Sequence, residues 1–139
     1  MEEQEQEAQN RWLTAIPDEL DRRVANLRAR PMLTTPVGNE KPRQVYSNQV
    51  VYERDPAVKA WVLQQARGIC ELCRQPGPFV LPSGEQYLEV HHVHPLAEGG
   101  PDTIQNAVAL CPNCHRLLHL AVDAEQYLAV LYAQVNRLN

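Results

Sequence analysis

Residues 89–119 read EVHHVHPLAEGGPDTIQNAVALCPNCHRLLH, and the fold turns on how this stretch divides. Tyr87-Leu-Glu-Val-His91 alternates apolar and polar side chains, which predicts a strand. Glu98-Gly-Gly-Pro-Asp102 reads as a tight loop, because glycine and proline punctuate elements. Ala107–Leu110 is a short apolar run and predicts a second strand. Pro112 suits a first helical turn, so a helix is expected from there to about Leu120. All five histidines of the chain, His91, His92, His94, His115 and His119, fall inside this stretch. His115 and His119 lie four apart and so share one face of that helix. Arg116, not Glu, follows His115, so a zinc-protease reading lacks its general base.

The cysteines frame the histidines. Cys70-Glu-Leu-Cys73 and Cys111-Pro-Asn-Cys114 are two Cys-x2-Cys knuckles, a spacing that lets two thiolates grip one ion, and two knuckles complete a tetrahedron. The 37 residues between the pairs exceed the usual zinc-ribbon gap, so a folded element must sit inside the loop. Two disulfides or four unrelated buried thiols are the alternative, which a reducing compartment and the paired spacing disfavour. Four thiolates leave no open coordination position, so the zinc expected here is structural.

Working outward, Asp55-Pro56 opens a helix with an N-cap acid and a proline, and Gly68 closes it. Residues 75–85 are turn-rich, with room for a short strand at Phe79–Leu81. A last helix is expected over Ala124–Arg137, with Tyr127, Leu128, Leu131 and Val135 on one stripe. Residues 1–30 read as helical, with Leu20, Val24 and Leu27 forming an apolar stripe after Pro17. That stripe either packs on the domain or makes a seam between two copies, a homodimer. Residues 31–49 read as linker. The expected organisation is a helical extension and linker over residues 1–50, a central domain over 51–122 and a C-terminal helix over 123–139.

The chain has 139 residues, 44% hydrophobic and 22% charged, which suits one small globular domain with an extension. No apolar run approaches the roughly 20 residues needed to span a bilayer, so no membrane partner is expected. The acidic first ten residues are unlike a signal or transit peptide, and a cytoplasmic location is expected. The net charge of −4 is unevenly spread: −6 over residues 1–21, +6 over 22–67 and −4 over 68–139. The basic block includes Arg54, Lys59 and Arg67. It is a candidate surface for a nucleic-acid backbone, or alternatively a solvated helix face and loop.

Glu89-x-His91-His92, Pro95-Leu96, Gly99-Gly100, Asn106 and Cys111-Pro-Asn-Cys-His115-x3-His119 together resemble the HNH nucleases. Arg54-Asp-Pro-Ala-Val58 and Gly68-Ile-Cys-Glu-Leu-Cys73 are similar to the HNH domain of 5-methylcytosine-specific restriction endonucleases. The resemblance covers about residues 52–120 and implies an α+β fold: a small ββα-metal finger with a four-cysteine structural zinc, flanked by helices. It also implies an endonuclease that hydrolyses phosphodiester bonds in duplex DNA. His92 aligns with the general base, His91, His115 and His119 with ligands of one catalytic divalent ion, and Asn106 with the residue that ties the inter-strand loop. Glu89 aligns with an acid near the active site. The ion could be Mg²⁺, Mn²⁺, Ni²⁺ or Zn²⁺, with imidazole ligands favouring the later transition metals. Arg54, Lys59, Arg67 and Arg116 are the basic residues available to the nucleic acid; His94 has no role in the motif. Two other readings stay open: a non-catalytic zinc-stapled DNA-binding or interaction module, and a ribonuclease.

Overall fold

The computed structural model describes residues 13, 15–32 and 34–139. The chain divides after Gln49 into two units. The first contains helix α1, Pro17–Arg28, which starts on its proline and carries Asp18 and Glu19 in its first turn. Both suit the positive end of a helix. The part of the expected N-terminal helix before Pro17 falls mostly outside the described residues.

The second unit, Val50–Asn139, contains helix α2 (Pro56–Ala66), strands β1 (Glu89–His92) and β2 (Ala107–Leu110), and helices α3 (Pro112–Leu120) and α4 (Ala124–Gln134). It is an α+β fold built on one antiparallel hairpin, with Glu89 opposite Leu110 and His92 opposite Ala107. Every residue of β2 is fully buried, which explains why its sequence is a continuous apolar run rather than an alternating one. Val62 and Ala66 of α2, Leu88, and Leu131 and Val135 at the C-terminal end join β2 in one core.

Local chemistry sets the element ends. The Asp55 carboxylate accepts from the Ala57 backbone N–H at 2.9 Å and caps α2. Arg67 then takes a left-handed conformation (φ 53°), and Gly68 follows at φ 78°. Cys111 caps α3, its sulfur accepting from the Cys114 N–H at 3.5 Å. The first strand begins two residues later than its alternation suggests and runs on to His92. The expected strand at Phe79–Leu81 is reduced to an isolated bridge between Val80 and Gln86. Phe79 instead stacks its ring on Tyr87, with centroids 4.8 Å apart.

The last helix stops at Gln134, three residues short of Arg137. Beyond the helix end, the Arg137 side chain turns to the first knuckle and β2. Its guanidinium grips Glu71 with two hydrogen bonds of 2.7 and 3.0 Å, donates to the carbonyls of Ile104 and Ala107, and lies 5.4 Å from the Trp61 ring centroid. Glu71, buried between the cysteines of the first knuckle, also accepts from the Ala109 N–H at 2.9 Å. Gln134 donates to the carbonyls of Glu71 and Leu72. The chain end is thereby locked to the knuckle and to β2. Arg137→Ala leaves the Glu71 carboxylate buried without its cation, and the expected cost is about 3–5 kcal/mol in urea unfolding. A loss below about 1 kcal/mol would show that the contact carries little.

Candidate metal centres and active site

Two metal-ligand clusters form in the second unit. The sulfurs of Cys70, Cys73, Cys111 and Cys114 all lie within 4.8 Å of one another, and none is in a disulfide. Cys73 and Cys111 sulfurs are 4.0 Å apart. A tetrahedral zinc with bonds of about 2.3 Å would set its sulfurs ~3.8 Å apart, so the cluster fits such an ion. Electrostatics point the same way. Burial and the neighbouring thiols push the Cys114 thiol far up, and burial raises Cys73. Burial opposes ionisation at Cys70 too, but backbone N–H groups, that of Cys111 first, pull its thiol below the ordinary value. Four thiols packed this tightly ionise together only around a cation.

The second cluster is His91, His115 and His119, one ligand nitrogen from each within 4.8 Å of the others. The Nε2 atoms of His115 and His119 are 3.2 Å apart. The three ring centroids lie 4.8–5.1 Å from one another. Strand β1 presents His91 and helix α3 presents the other two from adjacent turns. Behind His115, Glu89 accepts at Nδ1 (2.9 Å) and takes the Tyr87 hydroxyl at 2.7 Å. A carboxylate on Nδ1 leaves Nε2 with its lone pair toward the shared centre, the arrangement that orients histidine ligands. The Tyr87 hydroxyl, then His115, hold the Glu89 carboxyl below the usual range.

Burial, then the charges of His115, His119 and His92, lower His91 to about 4, which favours its neutral form. The sign for stability follows. Between about pH 4 and pH 6.5 the unfolded chain binds a proton that the folded chain refuses, so stability falls as pH drops through that window. Urea midpoints against pH should show this slope, and His91→Gln should flatten it. An unchanged slope in the variant would assign the effect to other groups.

His92 stands apart from the triad. As the next residue on β1 it turns to the other side, where its Nε2 lies 2.8 Å from Asp102 Oδ1. Arg54, Asp55, Pro56, Lys59, Val90, His92 and Asp102 line a cavity of about 280 Å³. Asn106, in the 3-10 turn just before β2, closes the intervening loop. It donates to the carbonyls of His94 and Pro101 and accepts from the His94 N–H, all at 2.8–2.9 Å. Gly100 lies against the His94 carbonyl so closely that an added Cβ would sit 1.9 Å from its oxygen. Gly99 supplies the left-handed turn (φ 87°).

Of the four basic residues singled out in the sequence, Arg54 and Lys59 flank His92. Arg116 is exposed on α3, where its charge reaches Glu89 and His119. Arg67 lines a different cavity with Glu85 and Gln86 at the far end of α2. His94 is exposed, and only its backbone enters the loop network. Asp102 and Arg137 escape sequence reasoning. Asp102 is an acid in a glycine-rich loop, and only the folded loop returns it to the strand end. Residues 70–120, which contain both knuckles and the three clustered histidines, match the model of the HNH endonuclease family.

Residues 70–120 carry an HNH domain. The type IV methyl-directed restriction enzyme EcoKMcrA of Escherichia coli strain K12 is 53% identical over 119 residues, which cover 86% of this chain and 43% of that protein. Anaredoxin of a Nostoc species is 42% identical over 40 residues, 27% of this chain and 53% of that protein. Among solved structures, the type IV phosphorothioation-dependent restriction endonuclease ScoMcrA superposes with a TM-score of 0.53 at 36% identity, over 60% of this chain and 19% of that one. The chain thus spans less than half the length of EcoKMcrA. Among the described residues, no helix is long and apolar enough to cross a membrane.

Proposed function

We propose that this chain is a metal-dependent HNH endonuclease that hydrolyses phosphodiester bonds in DNA. Residues 51–122 form its nuclease domain and the helix within 123–139 buttresses it. The reading is carried by the pairing of His91, His115 and His119 around one ion-sized centre with His92 on the next position of the same strand. The restriction enzymes to which the HNH domain is similar support DNA as the substrate.

Each group has one task. His91, His115 and His119 would hold one divalent ion, and Glu89 orients His115. When bound, the ion polarises the phosphate and stabilises the leaving 3′ oxygen. His92, as general base, accepts the proton of the attacking water. Asn106 holds the loop that supports it. Arg54 and Lys59 beside His92, and Arg116 on α3, bind the phosphate backbone and position the strand without reading its sequence. Cys70, Cys73, Cys111 and Cys114 hold a structural zinc that plays no part in the reaction.

The test is cleavage of supercoiled plasmid by the full chain with Mg²⁺, Mn²⁺ or Ni²⁺, against EDTA. Nicking that needs the added metal is expected. Metal-dependent cleavage of RNA alone would move the substrate to RNA. A folded, metal-loaded protein inert on both nucleic acids would leave a binding module.

A further inference from the structure

We infer that Asp102 is a positioning residue: it fixes the tautomer and orientation of His92 and ties that histidine to the start of α2. The inference rests on the reading of His92 as the base. The Asp102 carboxylate bridges two partners. Oδ1 lies 2.8 Å from His92 Nε2, and Oδ2 accepts from the Asp55 backbone N–H at 2.6 Å. Asp55 is itself the cap of α2, its own carboxylate turned to the Ala57 N–H. The side chains of His92 and Asp102 are only 9% and 18% exposed, so water does not readily replace either contact.

The loop leaves Asp102 little freedom. Asn106 holds the carbonyl of the preceding Pro101, and Gly100 packs on the His94 carbonyl. The Asp55 N–H first, with smaller help from His92, keeps the Asp102 carboxyl below the usual range against the opposing effect of burial. An ionised carboxylate only accepts hydrogen bonds. Facing that acceptor at 2.8 Å, Nε2 is the nitrogen of His92 that donates, which leaves Nδ1 as the atom that can take a proton from water. Without Asp102 either nitrogen could carry the proton and the ring could rotate, so a fraction of molecules would present the wrong face. The Asp55 contact adds a second consequence. Because Arg54 and Lys59 sit on the same helix entry, the phosphate-binding groups and the base are held in one frame.

The first test is the ¹⁵N spectrum of the His92 ring in the metal-loaded wild-type chain. An Nε2–H tautomer is expected, and an Nδ1–H tautomer overturns the inference whatever the variants do. The second is plasmid nicking by Asp102→Ala and Asp102→Asn. Asp102→Ala should lower kcat on the order of 10- to 100-fold, part of the 10²–10⁴ that a general base supplies, with KM and metal content unchanged. Asp102→Asn keeps an acceptor for Nε2–H and should recover part of that loss and the wild-type tautomer. An Asp102→Ala protein with wild-type kcat and an unaltered His92 ring would refute the inference while leaving His92 as the base. Full activity in His92→Ala would instead remove the reading beneath it. If Asp102→Ala does not fold, the wild-type tautomer and the Asp102→Asn kinetics still decide.

Discussion

Cys111→Ser is expected to unfold residues 50–139 under conditions where the wild-type chain is folded. Two roles meet at this residue. Its sulfur belongs to the four-thiol cluster, and the same sulfur caps α3. The core it supports is small: the described buried apolar side chains include three alanines, Ala66, Ala107 and Ala109, and two cysteines of the cluster itself, Cys70 and Cys114. A domain of this size gains too little from such a core to stand without a crosslink. Structural zinc supplies about 10–16 kcal/mol in small metal-folded domains, and loss of one thiolate forfeits much of it. Far-UV circular dichroism with metal analysis should show Cys111→Ser unfolded and depleted of zinc, and wild-type chain in excess chelator should look the same. A Cys111→Ser protein with wild-type thermal stability would exclude a structural ion at the cluster.

His92→Ala should do the opposite, keeping fold and metals while losing turnover by about 10²–10⁴-fold. The geometry separates these outcomes. His92 lies outside both ligand clusters and faces the cavity with Arg54 and Lys59. Removing its ring leaves His91, His115 and His119 in place, whereas His91→Ala opens the triad and should cost ion binding as well as rate. Single-turnover nicking with matched metal content makes the comparison. A His92→Ala protein that cuts at wild-type rate would transfer the base to another group. Loss of both rate and the histidine-bound ion would make His92 part of the metal site.

Much of this domain is written in short-range chemistry. The knuckles, the helix from Pro112 to Leu120 and the strand Ala107–Leu110 depend on neighbours a few residues away, and each is found where its residues predict. The histidine pair four apart on α3 was legible for the same reason: helical pitch alone puts both on one face. Alternation separates His91 from His92 only because the strand runs on to His92, one residue beyond its expected end.

What the sequence could not determine lies across long separations. Nothing local marks Arg137, 66 residues from Glu71, as the partner of a buried acid, and α4 ends three residues before it. Nor does local pattern distinguish Asp102 from the other acids of the chain. Its carboxylate reaches His92 and Asp55 only because Gly99, Gly100 and Asn106 fold the loop back on itself. The chain alone determined which residues can ligate, cap or alternate, because those properties belong to side-chain chemistry and backbone pitch. The tertiary structure decided which buried charge meets which partner, because a loop's path is set by every element it must pack against.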